Sequence, residues 1–224
     1  MRKEIYLIKG TKEESYTEFT TRVLSIANRI SKENEVKKVK LVCTEQAPPK
    51  LSVIPFKKGK IAAVSVFRKT SGKNEQLVNV LRLSGGYSVE EAIPVAYEKN
   101  WQDGEKSPGV CLLTLFQKKK RITHETFLHR WHNSHTPLSL KIHPLWNYNR
   151  NVVTEKLHDS CFDWHGIVEE HFRTSSDLLN PVKFFGHPLI MGYNMLRVYF
   201  DTKSFLDYKT IEPYLATEIH IKSH

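Results

Sequence analysis

A chain of 224 residues with 40% hydrophobic and 26% charged side chains, and only ten glycines and ten prolines, has the make-up of a folded protein. Collagen-like, low-complexity and wholly disordered readings are excluded. The net charge of +10 suits an anionic partner, but the excess is spread, +7 up to Lys106 and +3 beyond, with no concentrated basic arm. No window approaches the roughly 18 uncharged apolar residues of a membrane span, and Lys9 interrupts the short apolar stretch near the N-terminus. The expectation is a cytoplasmic protein with no membrane partner. Cys43, Cys111 and Cys161 are odd in number and form no CxxC pair, so they read as reduced, buried thiols.

In chain order, Glu4 to Ile8 alternates as a strand, and Thr11 with Glu14 offers a capping box for a helix whose apolar stripe is Tyr16, Phe19, Val23, Ile26 and Ile30. Val36 to Thr44 reads as a strand, the proline-bearing stretch from Ala47 to Lys60 as a loop, and Ile61 to Phe67 as a strand. A helix from about Asn74 to Leu83, ended by Gly85 and Gly86, and a strand from Tyr87 to Tyr97 complete a βαββαβ order. The polar stretch from Asn100 to Pro108 marks a boundary, giving one unit over residues 1–106 and a second over 107–224.

The pattern then restarts. Val110 to Phe116 is a strand, Thr123 caps a helix running to about Ser134 that Pro137 stops, and Leu145 to Val153 and Phe162 to Glu169 are strands. Ser175 or Ser176 opens a helical region, Phe184 to Phe200 holds extra residues for an added helix, and Tyr214 to Ile221 closes as a strand. Two ferredoxin-like βαββαβ repeats imply two antiparallel sheets, each with helices on one face and a second apolar face to bury. Packing the sheets face to face buries both, which predicts an α+β, intrachain dimeric α/β-barrel pseudo-dimer.

All 11 histidines lie from His124 onward, so chemistry is sought in the second half. On the helix after Thr123, Phe127, Trp131, His135 and Leu138 share a face, which points His135 toward aromatic core. Three readings stand for His135: a hydrogen-bonded core or cap histidine, a general acid/base at a pocket mouth, or a metal or haem ligand. His129, His132 and His135 spread around the helix rather than converge on a metal. On the following strand, Trp146, Tyr148 and Arg150 share one face, with Asn147, Asn149 and Asn151 on the other. Tyr148 or Asn151 would orient a ligand oxygen, with a purely barrel-packing tyrosine as the equal alternative. Asp163 and His165, two apart on a strand and so about 7 Å from each other, read either as base and orienter or, better, as a polar rim.

Phe127, Trp131, His135, Pro137 and Leu138, followed by Pro144, Leu145, Tyr148 and Asn151, resemble the pattern of the EthD family, and Phe162, Asp163, Gly166, Glu169, Asp201 and Phe205 are similar to its second half. The resemblance covers Val110 to Ile221. In the first half it is architectural, since Tyr16 and Phe19 echo the helix aromatics but nothing matches His135. It implies a dimeric α/β-barrel whose relatives include cofactor-free oxygenases, polyketide cyclases, dehydratases and haem-binding enzymes. The resulting expectation is a cofactor-independent enzyme acting on a small hydrophobic aromatic or carbonyl compound. His135, Tyr148 and Asn151 would be catalytic, and Trp131, Phe127, Trp146 and His165 would bind substrate. His135, His165 and His171 are the candidate axial ligands should haem be used. A non-catalytic binding or assembly module is the alternative. Nucleic acid is disfavoured, because no RNP-like string is present and the sheet faces are needed to bury one another. A homodimer of pseudo-dimers is a further expectation.

Overall fold

The computed structural model describes residues 1–69 and 82–224. Among them, strands and helices follow in the order β1 (Arg2–Lys9), α1 (Tyr16–Ser31), β2 (Val36–Cys43), β3 (Ile61–Arg68), β4 (Leu83–Val95), β5 (Val110–Phe116), α2 (His124–His129), a π-helical segment (Arg130–His135), α3 (Thr136–Ile142), β6 (Asn147–Lys156), β7 (Gly166–Phe172), α4 (Ser175–Leu179), α5 (Pro181–Phe185), α6 (Pro188–Phe205) and β8 (Glu212–Lys222). Of the helix expected from about Asn74 to Leu83, only Arg82 and Leu83 lie within the described residues; Arg82 is in a turn and Leu83 opens β4, which also contains Gly85 and Gly86.

The strands form one closed antiparallel barrel in the order β1-β3-β2-β8-β5-β7-β6-β4. Each half contributes its strands in the same order, β4-β1-β3-β2 and β8-β5-β7-β6. The halves are joined edge to edge, by β2 with β8 and by β4 with β6. The expected face-to-face contact exists across the barrel interior, but the edge seams were not anticipated. They follow from backbone chemistry, since every strand edge left open would expose a row of unpaired N–H and C=O groups.

Alternate residues sort into two layers. Ile5, Leu7, Val42, Leu113, Leu115 and Ile167 meet inside the barrel. Outside, Tyr6, Leu41 and Val64 pack under Phe19, Val23 and Ile30 of α1. In the second half, Phe116, Tyr148 and Val168 face Phe127, Trp131 and Phe205 of the helical layer.

Helix α1 starts at Ser15, whose hydroxyl accepts from Glu18 N while the Glu18 carboxylate accepts from Ser15 N. Thr11 and Glu14 do make the expected reciprocal bonds, but as a separate turn one step earlier. Two consecutive S/T-x-x-E strings compete here, and the later one directly precedes the buried stripe. No described helix is long and apolar enough to cross a membrane.

The interior also carries a polar network. Lys40 contacts the Glu169 carboxylate and lies 3.2 Å from Glu218 Oε2. His171 Nε2 approaches Glu218 Oε2 at 2.9 Å, off-line for a hydrogen bond. Asn149 donates to Glu169 at 3.1 Å, and Lys3 donates to Asn151 at 2.8 Å and to Glu91 at 2.7 Å. Those cations hold Glu169 down at about 2 against the pull of burial, and His171 and Lys40 hold Glu218 low in the same way.

Candidate functional site

Thr123 caps the second-half helix as expected, accepting from Thr126 N. The helix does not stop at Pro137. It widens into the π segment, where Thr136 N bonds Trp131 O five residues back, and continues through Pro137 as α3. Inside a regular α-helix the proline ring would collide with the carbonyl four residues earlier, and the wider turn removes that clash. Thr136 Oγ1 also donates to Trp131 O at 2.9 Å and accepts from Arg150 at 2.7 Å, which ties the wide turn to β6.

His135 ends this segment. Its Nδ1 lies 2.8 Å from Asp201 Oδ2 on α6, and its Nε2 lies 3.1 Å from Ser139 Oγ on α3. Ser134 donates to the other Asp201 oxygen at 2.6 Å. Burial would push the Asp201 carboxyl up, but these hydrogen bonds and the imidazole hold it below the ordinary carboxylate value. An ionised Asp201 accepts from Nδ1–H, so the lone pair of His135 resides on Nε2, where the Ser139 hydroxyl donates to it.

Between the outer face of β5, β6, β7 and β8 and the helices lies a cavity of about 290 Å³, close to the size of small-ligand pockets. Trp131, His135 and Tyr148 line it together with Ser139, His143 and Glu170, and the rest of its wall is mainly apolar, including Phe116, Phe184 and Phe205. Trp131 Nε1 donates to Tyr148 Oη at 3.4 Å, and burial raises the Tyr148 phenol above its ordinary value. His143 stacks on Phe184, donates from Nδ1 to Phe184 O at 2.8 Å, and is pushed down to about 4 by burial. Glu170 is directly opposite Tyr148 on the adjacent strand and is pushed up to about 7 by burial. It is half-buried and lines the hollow.

The other expected site residues lie elsewhere. Asn151 is inside the barrel, holding Lys3 and donating to Ile167 O at 2.9 Å. Strand alternation separates it from Tyr148 by the thickness of the sheet. Trp146 packs with Tyr97 and Trp101 at the barrel end. Phe127 is fully buried behind Trp131 and does not reach the cavity. His165 opens on a different groove beside Lys118 and Lys120, and its Nδ1 bonds the Asp163 carbonyl at 3.1 Å. The Asp163 carboxylate pairs instead with Lys156 at 2.6 Å, because β7 begins only at Gly166 and both residues precede it. The histidines considered for haem fall in three separate places, with His171 held by Asn147 and Glu218 inside the barrel, so these residues do not fit a haem site.

Residues 119–194 match the family model described as EthD domain. The matched segment falls in the C-terminal half and is similar to an EthD domain. It contains Trp131, His135, Tyr148 and Glu170, whereas Asp201, the partner of His135, lies beyond it. A solved structure of an anthrone oxidase-like protein is similar to the whole chain, with a TM-score of 0.60 and 8% identity over 98% of this chain and 90% of that one. A protein described as a candidate monooxygenase from Fusobacterium nucleatum is similar with a TM-score of 0.53 and 9% identity, covering 99% and 92%. At such identities the likeness establishes the fold alone. No curated protein matches the chain. The residue that sequence reasoning missed within the matched segment is Glu170. It alternates with Gly166 and Val168 on one face of β7, but the strand expected from the sequence ends at Glu169.

Proposed function

We propose that residues 1–106 and 107–224 are two ferredoxin-like copies forming an intrachain pseudo-dimer, and that the cavity of the second copy is the site of a cofactor-independent enzyme. Its substrate is a small hydrophobic aromatic or carbonyl compound, handled by proton transfer as in an oxygenase, cyclase or dehydratase. The identical strand order of the two halves supports the first statement. The second is carried by one observation, the Asp201–His135–Ser139 relay at the wall of an apolar cavity.

Asp201 fixes the orientation of the imidazole, as an orienting carboxylate does for a general base. His135 Nε2 takes a proton from substrate once the Ser139 hydroxyl turns aside, or through that hydroxyl. Tyr148 accepts from Trp131 and also interacts with Thr136, and its O–H is the group that would donate to a developing oxyanion in the cavity. The mainly apolar lining excludes water and strengthens both interactions.

His135→Ala is expected to lower turnover of an aromatic ketone and phenol panel by a factor on the order of 10²–10⁴, with the fold retained by circular dichroism. Unchanged turnover would sink the acid/base role. Occupation of Nε2 by Ser139 favours a second reading, a non-catalytic binding module. Thermal stabilisation by hydrophobic ligands, with no turnover across the same panel, would establish that one instead.

A further inference from the structure

The proton-transfer reading leaves one ionisable side chain of the cavity unused. Glu170 sits mid-strand on β7, between Leu112 of β5 and Tyr148 of β6, and presents its carboxyl to the hollow. No hydrogen bond or ion pair reaches that carboxyl from the described residues. The titratable groups facing the same space are Tyr148 of β6, His135 of the π segment, His143 at the end of α3 and Tyr208 of the loop before β8. The segments contributed by β5, α5, α6 and residues 53–55 bring no titratable group, and no lysine or arginine lines the cavity. Arg150, two residues along β6 from Tyr148, is directed to Thr136 instead. His143 titrates at about 4 and is uncharged near neutrality.

A carboxyl in this setting has no cation to pair with and little water to solvate its charge, so burial alone shifts it to about 7. In its acid form it is a hydrogen-bond donor without an acceptor. The complementary ligand group is an uncharged oxygen. A ligand carboxylate or phosphate would instead bring a second negative charge into a hollow that holds no lysine or arginine, with the ionised Asp201 just behind His135.

We propose that Glu170 anchors the ligand of this cavity by donating a hydrogen bond to an uncharged acceptor oxygen, and that the cavity thereby turns away organic anions. The inference rests on the cavity being a ligand site, and not on any role of His135. Binding of 2-acetylnaphthalene, 2-naphthoate and 2-naphthylmethylammonium, three probes of one shape, is measured by calorimetry between pH 6 and pH 8.

The ketone is expected to bind tightest at pH 6 and to weaken about tenfold by pH 8, as the acid form is depleted through its pKa. Naphthoate is expected not to bind over the same range. In Glu170→Gln, whose amide donates at every pH, ketone binding is expected to be flat. Absence of ketone binding at pH 6, a flat profile in the unaltered protein, equal binding of naphthoate, or tightest binding of the ammonium would each overturn the proposal. His135→Ala, titrated in parallel, is expected to keep the pH-dependent ketone binding. A flat wild-type profile alongside lost turnover in His135→Ala removes the anchor but leaves the proton-transfer reading standing. A sloping profile with turnover unaffected by His135→Ala does the reverse.

Discussion

Glu170 and Asp201 are two carboxyl groups near one cavity whose surroundings move them in opposite directions. Asp201 has hydrogen-bond donors and a histidine bonded to it, whereas no hydrogen bond or ion pair reaches the Glu170 carboxyl from the described residues. Because Glu170 titrates at about 7 in the folded chain and near 4.5 when unfolded, its ionisation weighs against folding increasingly as pH rises from about 4.5 through 7. Glu170→Gln is therefore expected to stabilise the ligand-free protein by about 1–3 kcal/mol at pH 8 and by nothing measurable at pH 4. Urea unfolding at both pH values checks this, and an equal shift at the two would show that the carboxyl does not titrate in this range. Glu170 alternates with Gly166 and Val168 in the sequence. A strand taken from Phe162 to Glu169 stops one residue short of it, whereas β7 runs from Gly166 to Phe172. Trp131, His135 and Tyr148 were legible because helical and strand periodicity each fix a face, and those faces meet at the cavity.

Among the elements, the helical run from His124 to Ile142 shows what spacing can and cannot reveal. Four-residue steps from Phe127 to Trp131 to His135 read as plain α-helix. A π-turn depends on how the helix docks on β6 and on where Pro137 falls, and neither is a periodicity. Strand β7 meets this run at Gly166. A Cβ there would stand 2.4 Å from the Phe116 ring and 2.8 Å from the Trp131 ring, so the absence of a side chain lets the two aromatics close over the strand. Those rings pack edge to face with centroids 5.0 Å apart. Gly166→Ala is expected to cost about 1–3 kcal/mol by overpacking, and to weaken ligand binding because both rings line the cavity. Thermal unfolding and ketone titration of this variant test the two effects, and full stability with unchanged binding would contradict the close packing.

For the molecule as a whole, eight strands and two apolar faces per sheet were readable from alternation, and burial then argued for a barrel. The seams were not, because alternation tells which way side chains point and is silent on which edges meet. The interior network was also unforeseen, although its asparagines had been placed on one face of β6. Lys40 lies between Glu169 and Glu218 across the seam of β2 with β8, so Lys40→Met leaves two carboxylates without their shared cation. The expected loss is about 3–5 kcal/mol at neutral pH. Glu169 and Glu218 titrate below the ordinary 4.5, so their contribution is present above pH 4.5 and disappears as pH falls from there toward 2. The penalty of Lys40→Met, measured by urea unfolding, is expected to shrink over that interval, and a penalty independent of pH would show that the carboxylates are not its source.

Strand β8 fits between β2 and β5, so it is the stave that completes the ring, and it comes from residues 212–222. During synthesis on the ribosome, β2 and β5 therefore each hold a bare margin until that segment has cleared the exit tunnel. Vectorial assembly of this ring has a late and sudden final step, and a nascent chain stalled before Glu212 is the species in which chaperone protection matters most.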